Sequence, residues 1–160
     1  MGRCLGWGRA RARRDARGAA AVEFALIMPI LLLLVFGIIS YGYMLSFRQA
    51  ISQAAAEGAR AAAVAQVAGE RDDDAVAAVN DALDSYGVTC ADADGPLQRN
   101  LADVGTCSVV IAQCDGEPAS VLCATVTIDY AYEANPLLPV PGVGIVLPDR
   151  LAYSAVARVS

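Results

Sequence analysis

The side chains able to do chemistry in this chain are few in kind. Its 160 residues include no His and no Lys, which excludes Ser-His-Asp and Cys-His catalysis, Schiff-base formation on lysine and His-ligated zinc. What remains is five cysteines, seventeen carboxylates and twelve arginines. Asp72-Asp73-Asp74 and Asp92-Ala93-Asp94-Gly95 have the composition of calcium ligands. Neither belongs to a twelve-residue loop closed by a Glu, and helix capping and turn chemistry account for both. No spacing holds Asp92, Asp94 or Asp129 at the defined separation of an acid pair, so no catalytic residue, cofactor or small-molecule substrate is expected. Cys90, Cys107, Cys114 and Cys123 are spaced 17, 7 and 9 apart, without the C-x-x-C knuckle of a zinc site, and no metal is expected. The remaining candidate is Glu23, a lone carboxylate five residues after Gly18, followed by Phe24 and a long apolar run.

That run is the element around which the chain is organised. From Phe24 to Phe47 no side chain is charged, and at ~1.5 Å of rise per residue the stretch spans about 36 Å, enough for a bilayer core of about 30 Å. Ahead of it lie Arg3, Arg9, Arg11, Arg13, Arg14 and Arg17 against Asp15 alone, a local charge of +5. Such a bias holds the N-terminus in the cytoplasm and sends everything after Phe47 outside. Arg13-Arg14 lacks the apolar pair of a twin-arginine signal, and the apolar run is too long for a cleaved secretory signal. Pro29 lacks an N–H and predicts a kink or loosened turn, while Tyr41 and Tyr43 suit the outer interface.

The spacing Gly18-x-x-x-x-Glu23-Phe24 resembles the leader-peptidase site of type IV pilins, above all the Flp/Tad subgroup. The stretches RGAAAVEFALIMPILLLLVFGIISYG and QAISQAAAEGARAAAV resemble the TadE-like (TadE/TadG) pseudopilins of Tad, or tight adherence, pilus and secretion systems. The resemblance implies a minor pilin without catalytic activity, cut by a prepilin peptidase between Gly18 and Ala19. It further implies work at pilus initiation or the tip beside the major Flp pilin, other pseudopilins, the inner-membrane platform and its cytoplasmic ATPase. Physical chemistry gives this arrangement a reason. A carboxylate buried in lipid costs about 2.5 to 3.5 kcal/mol at the centre of a span and less near its end. Cleavage after Gly18 creates an α-amino cation on Ala19 at a similar depth, able to pair with Glu23 in the same or a neighbouring subunit. The organisation expected is therefore a leader at 1–18, a transmembrane helix at 19–47 and an extracytoplasmic head at 48–160. An anchored envelope-binding protein, uncut and with Glu23 dispensable, is the alternative.

The head is expected to be small, α+β and pilin-like. It carries six Arg against fifteen acids, a net charge of −9, which disfavours nucleic acid. Ala-rich sequence without Pro continues the first helix from Arg48 to Gly69. Ile51, Ala55, Gly58, Ala62, Ala65 and Gly69 fall on one face, Gln49, Ser52, Gln53, Glu57 and Arg60 on the other, and Glu57 and Arg60 are placed to pair. An Asp-capped second helix is predicted from Asp74 to Tyr86, ended by Gly87. Strands follow at Cys107 to Gln113 and Val121 to Tyr132 as a hairpin, and at Leu151 to Val159, about three in all. The Pro- and Gly-rich stretch from Asn135 to Asp149 is read as a long exposed loop. Outside the cytoplasm the four head cysteines should form two disulfides. Three pairings exist. Cys107 and Cys114, seven apart on one strand, point to opposite faces, and Cys114 to Cys123 clips the hairpin, which favours Cys90 to Cys107 with Cys114 to Cys123.

Overall fold

The structure is a computed structural model and describes residues 8–139 and 147–159. The chain divides into two units, Met1–Ile39 and Ser40–Ser160. The first is helical from Gly8 onward, as the opening part of helix α1, which runs to Val64. From Val22 to Ile39 its large apolar side chains are exposed on every side. α1 alone, among the described residues, is long and apolar enough to cross a membrane, with a mean hydropathy of 2.7 in its most apolar window. A helix apolar all round needs lipid or other protein about it.

The second unit is the head, and it begins earlier than the charge pattern suggests. Met44 and Phe47 are buried in its core, so the last turns before Arg48 pack on the sheet. The periodicity is then as expected. Ile51, Ala55, Gly58 and Ala62 are buried, joined by Ala54 and Ala59, while Gln49, Gln53, Glu57 and Arg60 face solvent. Glu57 and Arg60 pair at 3.5 Å, both largely exposed. The small side chains let neighbours come very close: a Cβ on Gly58 would lie 2.7 Å from Cγ2 of Val79 and 3.5 Å from Val126. α1 ends at Val64, so Ala65 and Gly69 fall outside it. Helix propensity favours continuation, but the buried face runs out at Ala63 and the chain must reverse to bring α2 back along the sheet.

α2 spans Arg71–Leu83 and starts earlier than expected. Glu70, without a side-chain capping bond, occupies the N-cap in place of an Asp, and Asp72, Asp73 and Asp74 lie in the first turn, where the helix dipole favours carboxylates. A 3-10 turn, Asp84–Tyr86, follows, and Gly87 closes it with φ 64° and its N–H on the carbonyl of Asp84.

The sheet has five strands instead of three: β1 Val88–Cys90, β2 Asp94–Arg99, β3 Ala102–Gln113, β4 Leu122–Tyr130 and β5 Leu151–Arg158. They form an antiparallel meander in chain order. Ala124, Val126, Ile128 and Tyr130 of β4 turn inward, while Thr125 and Thr127 face outward and Thr127 bonds Ser154 of β5 at 2.9 Å. Asn80 of α2 holds the short β1 in place. Its Oδ1 accepts from the Cys90 N–H at 2.7 Å and its Nδ2 donates to the Cys90 carbonyl at 3.2 Å. Of the Asn135 to Asp149 loop, residues 140–146 lie outside the described residues.

The disulfides are Cys90–Cys107 and Cys114–Cys123, the favoured pairing. The first ties β1 to β3 and is buried, while the second clips the β3–β4 hairpin. Each is worth about 2 to 4 kcal/mol to a domain of this size, more for the longer loop. The Cys90→Ala/Cys107→Ala pair, closing a separation of 17 from inside the core, should lower the melting temperature more than Cys114→Ala/Cys123→Ala, with a separation of 9. Calorimetry of the two double variants in detergent checks the order.

Candidate functional site

The residues singled out by sequence occupy both units. Gly18, Ala19, Glu23, Phe24 and Pro29 lie on α1 in the first unit, and the four bonded cysteines lie in the second. α1 stays helical through Pro29. Glu23 and Phe24 are exposed, and Ala19 precedes Glu23 by four residues, one helical turn along the same face. A Cβ placed on Gly18 meets nothing within 4 Å among the described residues.

In the head, aromatic rings gather about Phe47. Its ring centroid lies 4.9 Å from that of Tyr130, 5.0 Å from Tyr86 and 6.3 Å from Tyr132, and Tyr43 adds an edge contact to Tyr86 at 5.9 Å. Ser46 Oγ and Tyr86 Oη share a hydrogen bond of 2.8 Å, and the Tyr130 hydroxyl donates to the carbonyl of Asn135 at 2.8 Å. This cluster fastens the start of the head helix to the end of β4 and the first residues of the long loop. The sequence signal for it was the apolar spacing of Met44, Phe47 and Ile51, which reads equally as membrane-facing.

Burial raises the phenols of Tyr130 and Tyr132 above the ordinary value, opposed by Arg99 at Tyr130 and by a hydrogen bond with the backbone of Leu137 at Tyr132. A folded-state value raised above the unfolded one gives stability that is whole below about pH 10 and is lost as pH climbs through the raised values. The denaturation midpoint of the head should accordingly hold to about pH 10 and fall beyond it, as a pH series followed by tyrosine absorbance would register.

The carboxylates weighed for acid chemistry lie at different places in the sheet. Asp129, in β4, pairs with Arg150 at 3.2 Å, Asp92 lies in the bend before β2, and Asp94 is the first residue of β2. No group of three or more His, Cys, Asp or Glu placed to hold a metal ion occurs among the described residues. What sequence reasoning missed is the β2–β3 hairpin and its tip, Asn100-Leu101, where both residues take positive φ, 52° and 65°. A polar Asn between two short runs was its only signal, and the second turn position carries Leu in place of the expected Gly.

Comparison with known families matches residues 18–60 to a model described as TadE-like protein. No curated protein and no solved structure matches the chain. The matched segment opens on Gly18, takes in Glu23 and the whole apolar stretch, and closes on the Ala-rich face of the head helix.

Proposed function

We propose, from the TadE-like match over residues 18–60, that this is a Tad pilus-associated protein acting as a minor pilin or pseudopilin. In this reading prepilin peptidase removes residues 1–18, the mature chain begins at Ala19 with its N-terminus at the cytoplasmic face, and the head lies outside the membrane. The observation that carries it is the junction itself. A Cβ on Gly18 would meet none of the described residues, and Glu23 lies at the edge of a helix that is apolar on every side. An apolar, unpaired helix end with one carboxylate fits a subunit that pairs Glu23 with a new α-amino group and packs laterally against other pilins. In this reading its partners are other Tad pilins and pseudopilins and the inner-membrane platform, as the resemblance over residues 18–60 implies. The head, larger than an anchor requires and pinned by two disulfides, suits a specialised subunit better than the repeated unit of a filament.

The test is genetic and biochemical. Deleting the gene in its native host should abolish or sharply reduce surface pili, counted by electron microscopy, and wild-type sequence should restore them. Glu23→Ala should reach the membrane, be processed normally and yet restore fewer than about a tenth of the pili, the loss expected when a charge pair within lipid is broken. Full restoration by Glu23→Ala would favour an anchored envelope binder.

A further inference from the structure

We infer that the open edge of β5 is a docking site for an extended segment of another protein, which joins the five-stranded sheet as a further, antiparallel strand. The inference concerns the head alone and does not depend on the family reading. The two edges of the sheet differ. At β1 the Ala91 N–H bonds the Pro96 carbonyl, so the main-chain groups of Cys90 point away from β2, and the Asn80 amide takes both. That edge is three residues long and capped by a side chain. At β5 the Val159 N–H bonds the Leu122 carbonyl, which sets the alternation along the whole pair. Leu151, Tyr153, Ala155 and Ala157 bond β4, while the N–H and C=O groups of Ala152, Ser154, Val156 and Arg158 point outward. None of these outward main-chain groups has a hydrogen-bond partner among the described residues.

An edge in this state is a template for pairing, and β5 lacks the devices that blunt one. It is eight residues long, has no Pro and no charge before Arg158, and keeps an unbroken register with β4. A row of alternating donors and acceptors fits another extended main chain, which identifies the occupant as a peptide strand. The side chains of β5 define its chemistry. On the inner face Ala155 and Ala157 are small and half-buried, and Tyr153 is 45% exposed, so an added strand has room there for β-branched side chains. On the outer face Ala152, Ser154 and Val156 are exposed and suit threonine or its like. Arg158 ends that row, exposed and paired with no carboxylate among the described residues. It calls for an Asp or Glu at the N-terminal end of the antiparallel segment.

The experiment titrates the isotope-labelled full chain, in detergent, with the peptide acetyl-Asp-Val-Thr-Val-Thr-Val-Thr-amide, its Asp opposite Arg158 and its last Thr opposite Ala152. At saturation, amide exchange at Ala152, Ser154, Val156 and Arg158 should slow by a factor of about ten or more, while Tyr153, Ala155 and Ala157, already bonded to β4, change little. N-methylation of the third and fifth peptide residues, which face Val156 and Ser154, should abolish binding. The same change at the second and fourth, whose N–H groups face away, should leave it intact. Arg158→Glu should weaken the Asp peptide about fivefold and favour a peptide with Lys in its place. No slowing at the outward amides, or equal binding of the two N-methylated peptides, would overturn the inference. So would a Lys peptide that Arg158→Glu prefers no more than wild type does, because the occupant's acidic end would then be wrong. Outward amides already slow without peptide would overturn it too. Slowing independent of protein concentration would mean that this chain covers its own edge, and slowing that grows with concentration would assign the edge to a second copy.

Discussion

Gly105→Val should prevent the head from folding. Gly105 lies in β3 opposite Tyr130, and a Cβ there would overlap the backbone carbonyl of Asp129 and come within 3.0 Å of the Tyr130 Cα. Both obstacles are main chain of a central strand, held on its other side by β5, so no rotamer change can clear them. The strands must separate, and with them the Phe47–Tyr130 contact that fastens the head helix. Over-packing typically costs about 1 to 3 kcal/mol and more where, as here, main chain cannot give way, a large part of the roughly 5 to 15 kcal/mol a domain possesses. The full chain in detergent should lose near-ultraviolet circular dichroism and protease resistance, whereas Gly69→Ala, in open space, should keep both. An unchanged denaturation midpoint for Gly105→Val would mean the β3–β4 pairing is wrong.

That pairing was legible in part. β4 announces itself by strict alternation from Leu122 to Tyr130, and Asp115-Gly116-Glu117-Pro118 by turn chemistry, so the β3–β4 hairpin, its clip at Cys114–Cys123 and the return of β5 could be read directly. β1 and β2 could not. β1 is three residues long, and β2 contains Gly95 and Pro96, which ordinarily argue against a strand. Pro96 is tolerated because its carbonyl accepts from Ala91, beyond the end of β1, so its missing N–H faces the same side and removes nothing from the ladder with β3. β3 was read short because Gly105 and the irregularity beside it break the period. The buried face of the head helix was clear from 3.6-residue spacing. Its true start was hidden, because Met44 and Phe47 look alike whether lipid or a protein core receives them. The candidate processing site was legible only as a motif, since geometry adds no more than that none of the described residues would meet a Cβ on Gly18.

That openness makes Gly18 the residue whose replacement should change most while disturbing the fold least. Gly18→Val places its side chain in empty space on an exposed helix surface, leaves all charges in place and lies far along the sequence from the head core. If a prepilin peptidase reads this junction, the added bulk should block cleavage completely. The leader with its +5 charge would then stay attached, and Ala19 would offer no α-amino group to Glu23. Disulfide formation in the head should be unaffected, which distinguishes a processing defect from misfolding.

The measurement that tests the central claim most directly is the intact mass and N-terminal sequence of the chain purified from its native membranes, wild type beside Gly18→Val. The account predicts a wild-type chain beginning at Ala19 and a variant beginning at Met1. A wild-type chain that still begins at Met1 in cells with an active prepilin peptidase would contradict it.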